Sequence, residues 1–352
     1  HHVPVPTPLP RRNQHCMLRS VMAAIEKAFV KTFACETTGT GTHVLVCAKT
    51  RECAVIDSVL DYDPVTGKVS HCAEKVVQYI RQEGLRCRWV LETHAHADHL
   101  TDSVYLKRRL SELNNTTQQT PKEADPAGAA GEAGAAGAAV GQQTQTVEIA
   151  IGEHIRDVQA VFGEMFNIPA AELDAEHTAF DRLFAADEEF QVGELRLRVL
   201  HTPGHTPACV SYHCLEPSIV FCGDTIFMPD QGSARCDFPG GSSRQLFASI
   251  QRLLSLPDDT RMFVGHDYCP GGRERCFETT VALQKSQSIH VKEGTTEEEF
   301  CSFRSARDAT LSAPRLLLPS IQINIRGGLF PPAEHTGTSY IKIPIQEDAV
   351  VV

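Results

Sequence analysis

Short apolar runs recur along this chain, and their spacing predicts alternating strands and helices. Val30 to Cys35, Val44 to Ala48 and Cys53 to Asp57 read as strands, with a turn at Thr37-Thr38-Gly39-Thr40-Gly41. Val69, Ala73, Val76, Val77 and Ile80 recur at helical spacing and predict a helix over 69–81. Trp89-Val90-Leu91 is a buried-strand run, and a helix is predicted from Asp98 to Leu113. Periodicity then lapses over Asn114 to Thr146, around the Ala/Gly-rich run 124–141, which predicts a disordered surface insertion.

Order resumes at Val147. Ile155 to Phe166 and Ala179 to Ala185 read as helices, and Phe190 to Val192 and Leu195 to Leu200 as a hairpin about Gly193-Glu194. Val210 to Tyr212, Ile219 to Cys222 and Met262 to Val264 are further strands, and Arg244 to Leu256 is an amphipathic helix. In the tail, Thr295-Thr296 followed by Glu297, Glu298 and Glu299 is a helix start that Phe300 and Phe303 would anchor. Ile321 to Ile325 alternates apolar and polar residues like a half-buried strand. The expected organisation is an arm over 1–27, a catalytic domain over 28–275 with its insertion at 114–146, and a C-terminal extension over 276–352 packed on that domain.

Composition narrows the function. The 352 residues carry a formal net charge of −11, which disfavours nucleic acid or an anionic membrane as a partner. No apolar run approaches the ~18 residues of a membrane span. The 13 cysteines are odd in number and scattered without a C-x-x-C pair, as expected of reduced thiols inside a cell. The first 25 residues hold Arg11, Arg12 and Arg19 and no acid, so the expected compartment is mitochondrial or cytoplasmic. A homodimer is compatible with this reading.

The chemistry sits where strands stop. Thr93-His94-Ala95-His96-Ala97-Asp98-His99 follows one strand and His201-Thr202-Pro203-Gly204-His205 another, while Gly223-Asp224-Thr225 and Gly265-His266-Asp267 follow two more. Neutral imidazoles and ionised carboxylates ligate divalent metals, and open α/β sheets place their chemistry at strand ends. His94 and His96 share a side of an extended segment, Asp98 and His99 face an adjacent position, and Asp224 has two oxygens with which to bridge. This nitrogen and oxygen set, without cysteine, suits zinc, iron or manganese.

T-H-A-H-A-D-H, H-T-P-G-H-T, G-D-T and V-G-H-D-Y, in that order, resemble the metallo-β-lactamase superfamily over about residues 28–275. The resemblance implies an αββα sandwich with metals at one edge. Within the superfamily, the loop after Asp224, through Ala234-Arg235-Cys236-Asp237-Phe238, and His266-Asp267-Tyr268 are similar to the persulfide dioxygenases, neighbours of glyoxalase II. The tail, through Arg307 to Leu311 and Pro319 to Ile325, resembles bacterial-type β-lactamase-like hydrolases. The dioxygenase likeness implies one iron(II) held by His94, His205 and Asp224, acting on glutathione persulfide and O2 to yield sulfite and glutathione. His96, Asp98, His99 and His266 would then orient the ligands. Asp98 and Tyr268 are the candidate catalytic groups, and Asp267 is expected to hold an imidazole. Arg235 and Asp237 are the candidate substrate residues, Arg235 for the glutathione carboxylate, with a simple Arg235–Asp237 pair as the rival. The alternative the family offers is a binuclear zinc glutathione thiolesterase of the glyoxalase II type. There His94, His96 and His205 would hold one metal, Asp98, His99 and His266 the other, and Asp224 both.

Overall fold

The computed structural model of the chain describes residues 27–117 and 146–345. The N-terminal arm before residue 27 and the Ala/Gly-rich run 124–141 lie outside these residues. The first six-stranded sheet takes β1 (Ala28–Ala34), β2 (Gly41–Cys47), β3 (Glu52–Ile56), β6 (Arg86–Leu91), β7 (Glu148–Gly152) and β8 (Arg182–Phe184), in that spatial order. The hairpin of β4 (Asp61–Asp63) and β5 (Lys68–Ser70) stands apart. The second sheet runs β14 (Glu278–Thr280), β13 (Arg261–Phe263), β12 (Ile219–Phe221), β11 (Val210–Cys214), β10 (Leu195–His201) and β9 (Glu189–Val192).

Alternation of side chains across each pleat builds three apolar layers. Leu45, Ala54, Ile56, Trp89 and Leu91 point from the first sheet at Val199, Tyr212, Phe221 and Phe263 of the second. Their neighbours Val44, Val46, Cys53, Val55 and Val90 point the other way. They meet α1 (Glu74–Gln82), α2 (Ser103–Thr117), α3 (Ile155–Met165) and α7 (Leu317–Asn324). Leu200, Val220, Cys222 and Met262 on the outer face of the second sheet meet α4 (Ser243–Leu254), α5 (Val281–Gln287) and α6 (Glu297–Asp308). The result is an αββα sandwich. It explains why β2 and β3 read as unbroken apolar runs: both faces are covered.

Several elements differ from expectation. Val69 belongs to β5 and is exposed, and the next helix starts only at Glu74. The stretch from Asp98 to Asp102 is a loop, and α2 begins at Ser103 and continues through Thr117. Asn114, the expected first residue of the insertion, is therefore inside a helix, and its Nδ2 donates 2.8 Å to the Cys87 carbonyl. The segment expected to be helical over 179–185 instead forms β8, because the free edge of β7 offers parallel pairing and Phe184 fills the inter-sheet layer. The expected strand over 321–325 is instead the end of a helix, and no described strand pairs with it. Its polar residues are buried because other backbone groups bind them. Thr296 and Glu299 form the capping box of α6. Phe300 is buried there as expected, but Phe303 stays exposed with its ring tilted against His290. The 12 cysteines among the described residues are all free. No described helix is long and apolar enough to cross a membrane.

One core residue makes stability depend on pH. His43 of β2 is buried, with Nε2 3.1 Å from the Val264 carbonyl and Nδ1 2.9 Å from Thr32 Oγ1. Burial holds its pKa down at about 4, from 6.5. Between those values the unfolded chain binds a proton that the folded chain does not, so stability falls as pH falls from 6.5 towards 4. The full loss is on the order of 3 kcal/mol. Urea denaturation of wild type and His43→Gln across this range should show a shallower acid limb in the variant; parallel limbs would contradict the assignment.

Candidate metal centre

Four strand ends on one edge of the sandwich deliver the ligand-type residues. β6 leads into Glu92-Thr93-His94, β10 into the loop to His205, β12 into Gly223-Asp224 and β13 into Gly265-His266. Close approach of the two sheets requires glycine at 223, where φ is +49° and a Cβ would lie 2.4 Å from Thr93 Oγ1. Gly204 has φ of +136° and lies against the backbone of Leu246 in α4, which fixes the turn before His205.

His94, His205 and Asp224 each offer a ligand atom within 4.8 Å of the others. Asp224 Oδ2 is 3.9 Å from His94 Nε2 and 3.8 Å from His205 Nε2. Hydrogen bonds behind the rings set the tautomers. His205 Nδ1 donates 2.8 Å to the Arg235 carbonyl, which leaves Nε2 with its lone pair facing Asp224. Thr93 Oγ1 donates to Asp57 Oδ2 at 2.9 Å and so accepts from His94 Nδ1 at 3.0 Å, which leaves His94 Nε2 with its lone pair too. That Nε2 is buried and has no hydrogen-bond partner. Burial and the nearby His96 charge hold His94 well below its ordinary pKa, so it is a neutral ligand at neutral pH. Burial pushes the Asp224 carboxyl up, but His266, His94 and His205 outweigh it and keep the group ionised. An ionised oxygen facing two imidazole lone pairs, one of them orphaned in the interior, fits a bound divalent cation.

The remaining histidines are arranged differently. His96 Nε2 lies 3.2 Å from Asp57 Oδ1 and 3.5 Å from Glu92 Oε2. Burial lowers its pKa, but the two carboxylates raise it to about 10. His96, Asp98 and His99 form a second cluster with ligand atoms within 4.8 Å, and Asp57, Glu92 and His96 a third. His99 Nε2 is buried without a partner. His266 has both nitrogens engaged: Nδ1 is 2.7 Å from Asp224 Oδ1, and Nε2 is 2.7 Å from Asp98 Oδ2 and 3.0 Å from Thr40 Oγ1. Burial works against its proton, but Asp224 and Asp98 raise its pKa well above the ordinary value. Burial raises the Asp98 carboxyl, but His266 and His99 hold it well below the usual range.

The cluster opens into a cavity of about 540 Å³ lined by Asp98, His205, Asp224, Phe227, Arg235, Phe238, Tyr268 and residues of the tail. Tyr268 is exposed on its wall and stacks on His266 with ring centroids 5.7 Å apart. Arg235 lines it as well, with Nε and one terminal nitrogen each 2.6 Å from the Asp237 carboxylate. Its third nitrogen donates 2.7 Å to the Ser312 carbonyl. Asp267 corrects an expectation: it holds no imidazole. Its carboxylate binds Arg273 at 2.6 and 2.8 Å and the Cys276 amide at 2.8 Å, which shapes the loop after the site.

The sequence reading gave Asp57, Glu92 and Asp308 no role at the site. Asp57 directly follows β3 as the ligands follow their strands, and that is the signal it offers. Glu92 Oε1 accepts from both Thr101 and Ser103 in the interior. From the tail, Asp308 of α6 accepts the Cys236 amide at 2.9 Å and pairs with Arg304, which steadies the loop whose carbonyl binds His205.

A profile of the metallo-beta-lactamase superfamily matches residues 37–266, a span that contains the whole cluster. The chain belongs to the metallo-β-lactamase superfamily. Within it, the chain is 41% identical to a probable metallo-hydrolase of Burkholderia pseudomallei, over 90% of this chain and 98% of the relative. It is 42% identical to Glyoxylase B2 of Dictyostelium discoideum, over 91% and 97%. A more distant relative is the human mitochondrial persulfide dioxygenase ETHE1, at 23% over 83% of this chain and 86% of the relative. The crystal structure of ETHE1 from Myxococcus xanthus superposes with a TM-score of 0.60 at 23% identity, covering 86% of this chain and all of that one, a likeness of fold. This member of the superfamily is thus a metal-dependent enzyme, with its ligand-type residues gathered at one edge of the sandwich.

Proposed function

We propose that this chain is a persulfide dioxygenase, converting glutathione persulfide, O2 and water to sulfite, glutathione and two protons at a single iron(II). The observation that carries the reading is the division of labour among the ligand-type residues. His94, His205 and Asp224 make one two-histidine, one-carboxylate face, whereas His266 is bonded through both nitrogens and His96 lies against Asp57 and Glu92. Such a face suits iron(II), which when bound supplies redox chemistry with dioxygen that no side chain here possesses.

The chain's own groups do the rest. Asp98 stays ionised on the cavity wall and accepts a hydrogen bond from a substrate sulfhydryl or water. Tyr268 presents a phenol donor beside it, and Phe227, Phe238, Leu311 and Leu316 shield the reacting sulfur from bulk water. Arg235 is already bound to Asp237, but Arg307 and Arg315 also line the cavity. Among the described residues neither has a carboxylate within 4.0 Å, which suits the carboxylates of an anionic carrier. Replacing Arg307 and Arg315 together with glutamine should raise KM for glutathione persulfide roughly 10-fold with little change in kcat, since a charge-assisted bond is worth about 1.5–3 kcal/mol. An unchanged KM would remove the arginines from substrate binding.

The binuclear thiolesterase reading is favoured by the His96–Asp98–His99 cluster, with the orphaned His99 Nε2, and by the hydrolase and glyoxylase names of the more similar relatives. Metal analysis of anaerobically purified protein, combined with an oxygen electrode, separates the two. One iron per chain, with one O2 consumed per glutathione persulfide, is expected. Two metals per chain, with cleavage of a glutathione thioester and no oxygen uptake, would overturn the dioxygenase.

A further inference from the structure

The loop from His94 to Thr101 must turn from strand to helix within a few residues while aiming side chains at two neighbouring positions. Such a turn leaves main-chain groups without partners in sheet or helix, and buried groups of that kind must be satisfied elsewhere. Two of them, the carbonyls of His96 and His99, point towards α7. There Asn324 Nδ2 donates to the His96 carbonyl at 2.7 Å and to the His99 carbonyl at 2.8 Å. Its Oδ1 accepts the Thr101 amide at 2.8 Å. Asn324 is buried, and the ligand loop accounts for each of these three bonds. A neutral amide is suited to this task because it offers two donors and an acceptor from one rigid plane. Leu317 and Ile321, from the same helix, lie beside Ala95 and Ala97 of the loop. Thus α7 supports the small residues between the histidines while Asn324 fixes the backbone on either side of Asp98.

We infer that Asn324 is a positioning residue of the metal centre, setting the curvature of the His94–His99 loop from more than two hundred residues away in sequence. The inference goes beyond the dioxygenase reading and holds equally for a hydrolase, because it concerns how the ligands are aimed. Asn324 touches no side chain of the ligand cluster in any of these bonds, so it acts through the main chain alone.

The test uses cobalt(II), which accepts the same nitrogen and oxygen ligands and reports its geometry in visible absorption. The full chain is compared with Asn324→Ala, Asn324→Asp and Gln322→Ala. Asn324→Asp keeps the shape but sets an anion against two carbonyl oxygens. Gln322 is the control: its amide binds Leu318 and Lys342 in the same helix and tail, and not the ligand loop. Both Asn324 variants should lose about 10- to 100-fold in cobalt affinity by chelator competition, the usual scale for groups behind a ligand, and shift the cobalt bands. Gln322→Ala should lower the melting temperature of the metal-free protein while leaving affinity and bands unchanged. If Asn324→Ala does not fold, as judged by far-ultraviolet circular dichroism, Asn324→Ser serves in its place with the same expected losses. Wild-type cobalt affinity and bands in the Asn324 variants would overturn the inference whatever their melting temperatures. So would an equal loss of affinity in Gln322→Ala. Neither readout depends on turnover, so failure here is separable from failure of the proposed reaction.

Discussion

Asp224→Ala is expected to leave the purified protein almost free of metal and without measurable turnover. Asp224 is the one carboxylate of the three-ligand face, and its Oδ2 faces both His94 and His205 while Oδ1 takes the bond from His266. Alanine removes an anionic ligand and also strands the His266 charge on Asp98 alone. Groups behind a ligand cost about 10- to 100-fold in affinity when lost, so loss of the ligand itself should exceed the upper end of that range. Asp224→Asn, which keeps one neutral oxygen, should retain more metal than alanine. The check is metal content per chain alongside activity at saturating added iron(II). A variant with a full metal complement would break the assignment of the triad.

The second large effect is expected in stability. Asp57 carries a concentrated load at the end of β3: Oδ1 accepts the Thr93 amide at 2.8 Å and lies 3.2 Å from His96, and Oδ2 accepts the Thr93 hydroxyl at 2.9 Å. Removing one partner of a buried pair leaves the other uncompensated, at a typical cost of about 3–5 kcal/mol. The backbone adds to this, since Asp57 sits at φ +54°, a region that aspartate and asparagine tolerate better than alanine. Asp57→Ala should therefore lose roughly 3–5 kcal/mol in urea denaturation, a large share of the ~5–15 kcal/mol that stabilises a typical domain. Asp57→Asn should lose less, because it keeps the backbone conformation and an acceptor for Thr93. A loss below about 1 kcal/mol in the alanine variant, the scale of a single ordinary hydrogen bond, would show that His96 is held chiefly by Glu92.

Much of this arrangement could be read along the chain because its signals are local. β2, β3, β6 and β12 are short apolar runs, and α4 shows its buried face in Leu246, Ile250, Leu253 and Leu254. The misread segments are those where a neighbour overrules propensity. Val69 stands at helical spacing from Ala73, Val76 and Ile80, but it pairs with Tyr62 across a hairpin. Ala179 to Ala185 reads as a helix along the chain, but the open edge of β7 draws Arg182 to Phe184 into a strand. Ile321-Gln322-Ile323-Asn324-Ile325 alternates like a strand, but Gln322 and Asn324 are buried where distant main chain binds them. For Arg235 the sequence left two partners open, a substrate carboxylate or Asp237, and the structure pairs it with Asp237 at 2.6 Å.

By itself, the amino-acid order marked most strands and helices and placed imidazoles and carboxylates at the ends of buried strands, while the αββα layering was implied by the motif resemblance. The elements come from side-chain periodicity, which each strand or helix expresses alone. Which nitrogens face Asp224, that His266 is bonded through both of its own, and the grip of Asn324 and Asp308 on the ligand loops were decided only by tertiary structure. Those choices depend on which buried donor meets which acceptor across hundreds of residues, and a hydrogen bond is specified by distance and direction that no local pattern encodes.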